Sequence, residues 1–171
     1  VPQIATFHIG KEVFGIDILL MKEIGKKSEM TKVPQSPEFI LGLMNLRGQI
    51  VTIVDPGVFF DQTLNASVQD QRLIILKNED ELEQLRKKNL IRENYMSKDT
   101  LAIVVDQISD VVDVELDQIL PPLPNLTRMK QEFVSGIVQQ ADQLIILLEI
   151  TKLAEICTRG ARSGGEQADR H

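Results

Sequence analysis

The 171-residue chain has no tryptophan, one tyrosine, one cysteine and two histidines, and each shortage excludes something. A single thiol, Cys157, rules out an intrachain disulfide and fits a reducing, cytosolic compartment. His8 lies in a strand-like run and His171 is the last residue, so no Cys/His spacing for a metal exists. No Gly-x-Gly-x-x-Gly or Walker-type loop occurs, which leaves nucleotide binding unsupported. No apolar run approaches the ~20 residues of a membrane-spanning helix, and no signal peptide is visible. Positive charge is also short. Nineteen Lys and Arg against 25 Asp and Glu give a net charge of −6, which argues against nucleic acid or an anionic membrane as the main partner. Asp106, Asp110, Asp113 and Asp117 lack the glycine and terminal glutamate of a calcium loop and read as solvent-facing strand positions. Without a base histidine, no serine or aspartate is marked as a nucleophile. The expectation is a protein with no catalytic residues, no cofactor and no metal.

What is present centres on Phe39 to Asp55: an apolar approach, Gly42, a turn at Asn45-Leu46-Arg47-Gly48, and the β-branched strand Ile50 to Val54. Asn and Gly tolerate positive φ, so they bracket a tight corner that displays Arg47. Arg47 is then either a solvated turn residue or a recognition arginine on a rigid support. A second copy of this stretch follows. Phe39, Gly42 and Asp55 are matched in spacing by Phe133, Gly136 and Glu149, and Phe14-Gly15-Ile16-Asp17 is loosely echoed by Ile103-Val104-Val105-Asp106. A repeat of about half the chain predicts two similar subdomains.

In chain order, Ile4–Ile9 and Val13–Ile16 predict a hairpin across Gly10-Lys11-Glu12. Asp17 to Ile24 is either a helical face or a buried strand, and periodicity does not decide. Met30 to Val33 predicts a short strand, closed off by Pro34 and Pro37. Val58-Phe59-Phe60 packs back on the first half, and Asp61 to Asp70 is a polar linker. Leu73–Leu76, Leu101–Val105 and Ile108–Val114 are strands, and Leu116–Leu120 is a short helix or turn. Between the first two, Asn78 to Ser97 is highly charged. Asn78 with Glu81 forms a capping box and Glu83 with Lys87 an i,i+4 pair, predicting a surface helix inserted in a hairpin. That helix is either a solvated decoration or an added partner surface. Pro121 to Pro124 is an extended connector, Thr151 to Ile156 a short helix, and residues 160–171 a disordered tail.

The ordered set Phe14-Gly15-Ile16-Asp17-Ile18, Met21-Lys22-Glu23-Ile24, Phe39-Ile40 with Gly42, Asn45-Leu46-Arg47-Gly48 and Ile53-Val54-Asp55 resembles the CheW family of chemotaxis coupling proteins. Ile108-Ser109-Asp110-Val111 and Phe133 with Gly136 resemble its later motifs, so the resemblance runs from about Ile4 to Ile156. It implies a mainly β fold: two intertwined five-stranded SH3-like β-barrels with a groove between them, short helices and one inserted charged helix. The domain would span residues 1–159, in halves of about 1–70 and 71–159. The resemblance also implies a non-enzymatic adaptor in the cytoplasm, at membrane-associated chemoreceptor arrays but not inserted in the membrane. It would bridge the cytoplasmic tip of methyl-accepting chemoreceptors to the regulatory domain of the histidine kinase CheA. Arg47 matches the family's receptor-contact arginine. Asn45 and Gly48 frame that turn, and Gly42, Met21 and Glu23 match positions tied to receptor or kinase coupling. Met21 reads equally well as core. Thr52 and Pro56 stand where the family often has Pro and Leu, and Asn78 to Ser97 exceeds the usual connection. Two alternatives stay open: a CheW-like domain cut from a larger signalling protein, motivated by the absence of an initiating Met, and a small β-barrel ligand-binding or enzyme module.

Overall fold

The computed structural model describes residues 2–88, 100–122 and 131–157. Runs of β-branched and leucine residues set out eleven strands: β1 (Gln3–Ile9), β2 (Glu12–Asp17), β3 (Met21–Gly25), β4 (Ile40–Leu46), β5 (Gln49–Val54), β6 (Arg72–Leu76), β7 (Thr100–Val105), β8 (Gln107–Asp113), β9 (Ile119–Leu120), β10 (Val134–Gln140) and β11 (Gln143–Leu148). They form two sheets, in the orders β8-β1-β2-β11-β10-β9 and β3-β6-β7-β5-β4. The fold is therefore mainly β with two subdomains. The first sheet takes strands from both ends of the sequence and the second is built from β3 to β7 between them, so the boundary near residue 70 falls inside the second sheet, ahead of β6.

The ladders are open rather than closed barrels, of six and five strands. Each sheet nevertheless curls through chain continuity. The chain leaving β8 passes a 3-10 turn at Leu116–Gln118 and returns as β9 against β10 at the far end of the order. Likewise the chain leaving β3 reaches Thr31, which exchanges two 2.8 Å backbone hydrogen bonds with Leu43 of β4. The strand expected over Met30 to Val33 is thus reduced to one bridge, because Pro34 cannot extend a ladder.

The repeat is strict in register. The β4–β5 and β10–β11 hairpins have every paired position 94 residues apart, with the same bulge before Gly42 and before Gly136. Asp55 N–H donates to Phe39 C=O at 2.8 Å, and Glu149 N–H donates to Phe133 C=O at 2.8 Å. The parallel pairings β5 with β7 and β11 with β2 then place Val13 with Thr100, and the edge strands β3 and β8 correspond at the same shift of 87. The echo of Phe14 lies accordingly at Leu101, two residues from where sequence comparison puts it. A two-residue slip preserves which face each side chain occupies, so alternation alone does not detect it.

Alternation along these strands sorts side chains into three clusters. Met44, Val51, Ile53, Leu73, Ile75, Ala102 and Val104 fill the second sheet's concave side. Ile4, Val13, Val114, Val138, Ile145 and Leu147 fill the first. The largest cluster lies between the sheets and includes Phe7, Phe14, Ile74, Leu76, Ile103 and Phe133. β7 is buried at every position because it faces two cores. A helical segment over residues 150–157 adds Ile150, Leu153, Ala154 and Cys157 to the central cluster. A cavity of about 230 Å³ opens at the end of the first sheet, beside Ile16, Asp17, Leu20 and Leu148.

The ambiguous stretch after β2 resolves into both readings: a 3-10 turn at Ile18–Leu20, capped by Asp17 Oδ1 on Leu19 N–H, and then β3. The charged insertion begins as predicted. Helix α1 (Glu79–Lys87) carries the Asn78–Glu81 capping box, with reciprocal bonds of 3.0 and 3.1 Å. It is not a free decoration, since Leu82 is fully buried in the central cluster and Leu85 packs against it. Arg86 rather than Lys87 bridges Glu83, at 3.1 Å. The remainder of the insertion, the later part of the proline connector and the tail lie outside the described residues.

Candidate functional site

Arg47 and Gly48 form the two-residue corner between β4 and β5, at φ 53° and 84°. Both central residues of such a hairpin turn take positive φ, which fits the right-handed strand twist and explains the glycine. Asn45 Oδ1 accepts the Gly48 N–H at 2.9 Å and pins the corner from inside. The Arg47 side chain is 67% exposed, yet its Nη2 donates to Glu23 Oε2 at 2.5 Å. Glu23 lies on β3, at the opposite edge of the sheet from β4. This ion pair therefore spans the seam where the sheet curls. It orients a guanidinium that still presents its remaining donors to solvent.

Gly42 acts elsewhere. A Cβ there would lie 2.8 Å from the carbonyl oxygen of Thr31, so glycine is what admits the backbone bridge that closes the seam. Met21 is half-buried, packed against the central cluster, and so is at least in part a core residue. Its neighbour Lys22 pairs with Glu81 of α1 at 3.3 Å, placing the inserted helix beside β3. The structure thus brings Arg47, Glu23, Asn45 and Gly48 together, with Gly42 supporting them from β4 and Met21, at the start of β3, packing against the central cluster.

Reading Asp106 as a solvent-facing position misses its contacts. Its Oδ1 accepts the Asn65 and Ala66 N–H groups and its Oδ2 accepts Gly10 N–H, all at 2.8 Å. It fastens the polar linker and the β1–β2 turn to the point where the chain crosses between sheets. Its position directly after the apolar run of β7 was the only sequence signal. Nearby, burial holds the Asp55 carboxyl above the usual carboxylate range, although the Gly57 N–H and Lys27 pull it down. Burial also pushes the Cys157 thiol up to about 12, which makes it an inert core group. Among the described residues, no group of three or more His, Cys, Asp or Glu is gathered to hold a metal. No helix among them is long and apolar enough to cross a membrane.

Two quasi-equivalent sheets packed through a shared core, with an arginine displayed at one hairpin corner, define a two-subdomain β protein. Comparison with known proteins gives its family. Residues 3–157 match the CheW-like domain model, and the chain belongs to that family. It is similar to the chemotaxis protein CheW of Klebsiella aerogenes, 31% identical over 147 residues, covering 86% of this chain and 78% of that protein. It is equally similar to the chemotaxis protein CheW of Treponema pallidum, 31% identical over 157 residues, covering 88% and 81%. The crystal structure of the scaffolding protein CheW from Thermoanaerobacter tengcongensis superposes with a TM-score of 0.69 at 28% identity, covering 87% of this chain and 84% of that one. The chain is accordingly a chemotaxis scaffold of the CheW type, and that family is non-enzymatic.

Proposed function

We propose that this chain couples chemoreceptor signalling tips to the regulatory domain of the histidine kinase CheA, at membrane-associated receptor arrays. The observation that carries the reading is the Arg47 corner. An exposed guanidinium is fixed by Glu23, on a turn fixed by Asn45, on a strand fixed by the Gly42 seam. Pre-ordering removes much of the side-chain entropy that an exposed arginine otherwise loses on binding. The free donors of the fork pair with carboxylates or carbonyls of a helical tip. Coupling then requires no chemistry. Holding receptor and kinase together links their conformational equilibria. Individual contacts near micromolar, about −8 kcal/mol, are strengthened by multivalency in an array.

The test is binding of the chain to a purified receptor-tip fragment, wild type against Arg47→Ala, with thermal melts of both. A hot-spot arginine is worth about 2 kcal/mol or more, so binding weakens at least about tenfold at unchanged melting temperature. Equal binding by both proteins places the receptor contact elsewhere.

A further inference from the structure

Helix α1 is docked by more than Leu82, and its polar contacts run to the strand that supplies Glu23. Just ahead of the helix, Lys77 donates its N–H to Leu20 C=O at 2.9 Å and its ammonium to Leu19 C=O at 2.6 Å. Glu81 divides its carboxylate. Its Oε1 accepts Asn78 N–H at 3.1 Å, closing the capping box, and its Oε2 faces Lys22 Nζ at 3.3 Å. Lys22 is the point at which β3 is least held by its own ladder. Pairing steps from Met21 opposite Leu76 to Glu23 opposite Ile75, which leaves Lys22 in a bulge with no residue across from it. A bulge bends its strand and re-aims the side chains beside it. β3 is also an edge strand, laddered to β6 alone. The direction of Glu23, one residue on, therefore depends on what holds Lys22.

The other half of the molecule supplies an internal comparison. Its strands β8, β1 and β2 stand where β3, β6 and β7 stand. By register, Ser109 occupies the position of Lys22 and Ala141 that of Arg47. The connection that corresponds to the inserted segment is the short turn at Gly10 and Lys11. Helix, lysine and arginine thus occur together in one half and are replaced together in the other. We infer that α1 is a splint for the docking corner: Glu81 holds Lys22, Lys22 fixes the bulge of β3, and the fixed bulge aims Glu23 at Arg47. Glu81 and Lys22 are positioning residues, acting on a partner only through Glu23 and the guanidinium. The inference deepens the coupling function and rests on Arg47 being a docking residue. An arginine ordered in advance loses less freedom when it meets a carboxylate or carbonyl of a helical tip.

Glu81→Gln is the sharpest test, because glutamine at this position preserves the capping box while removing the charge that holds Lys22. A partly exposed ion pair contributes little to stability, so the melting temperature should stay close to wild type. Heteronuclear relaxation of the Arg47 Nε–H group should report an ordered guanidinium in the wild type and a looser one in Glu81→Gln, Lys22→Met and Glu23→Gln. Binding of the receptor-tip fragment should weaken about two- to tenfold in Glu81→Gln, the range set by freeing one side chain. In a Glu23→Gln background, Glu81→Gln should weaken it no further. Glu83→Gln, which removes a pair internal to the helix, should leave Arg47 order and tip binding unchanged. An Arg47 side chain equally ordered in wild type and Glu81→Gln overturns the inference, as does a Glu81→Gln effect on binding that persists in full without Glu23. The relaxation measurement needs no receptor and so separates the two claims: loosening of Arg47 in Glu81→Gln, with no tip binding by the wild type, would defeat the receptor contact and leave the splint standing.

Discussion

Arg47 shows how much local structure a single displayed residue needs. Its exposure depends on a positive-φ corner, its direction on Glu23, and the seam behind it on a missing Cβ at residue 42. Gly42→Ala drives a methyl group to 2.8 Å from the Thr31 carbonyl oxygen, a backbone atom that cannot yield without breaking its pair with Leu43. Overpacking of this kind costs about 1–3 kcal/mol. Chemical denaturation should record that loss, and tip binding should weaken with it as the corner loosens. Asp55 gives a prediction in pH. Its carboxyl is held above the ordinary value of 3.8 mainly by burial, so the folded state favours the protonated form. Stability from this group is fully present below pH 3.8 and is lost as pH rises through the raised folded value. Asp55→Asn keeps an acceptor for the Gly57 N–H, which Asp55 Oδ1 holds at 3.0 Å, and removes the buried charge. The variant should melt higher than wild type near neutrality, and the difference should vanish in acid. A wild type that is the more stable of the two at neutral pH would contradict the assignment.

At the level of elements, α1 separates what composition reveals from what packing decides. Its start was legible, because Asn78 and Glu81 satisfy each other's backbone groups within four residues. Its docking was not, since Leu82 and Leu85 are two apolar residues in a charged segment and nothing local says what they meet. Leu82 is fully buried against the central cluster, so Leu82→Ala should cost about 2–5 kcal/mol in denaturant unfolding. A solvated decoration would lose almost nothing. The strands were read with the same asymmetry. Hairpins such as β1–β2 and β4–β5 announce themselves by alternation and turn residues. The parallel pairings β5 with β7 and β11 with β2 join distant segments without a local signal. The Phe39–Phe133 repeat was visible because spacing is conserved inside a hairpin, whereas the β2–β7 echo was misplaced by two residues. Of the site, the corner and its arginine were readable. The Glu23 pair across the seam depends on the curl of the sheet, and Asp106 looked like one acid among four.

Across the whole molecule, one sheet is built from the two ends of the sequence and the other from the continuous stretch between them. β1 and β2 lie with β8–β11, and the intervening chain builds the other sheet, with Asp106 fastening one crossing point. The central cluster between the sheets makes the two one packed body. A scaffold of this form transmits position: a partner held at the Arg47 corner has a defined orientation to a partner held elsewhere on the surface. Two quasi-equivalent halves with different charge give such a module distinct faces from one repeated backbone.

The most direct measurement of the central claim is a ternary capture. The CheA regulatory domain is immobilised, and retention of a receptor-tip fragment is measured with and without the chain, by surface plasmon resonance. Coupling predicts that the fragment is retained only when the chain is present, and that Arg47→Ala abolishes this retention while itself still binding the kinase domain. A chain that binds each partner alone but never both at once, with each displacing the other, would contradict a scaffold that joins receptor to kinase.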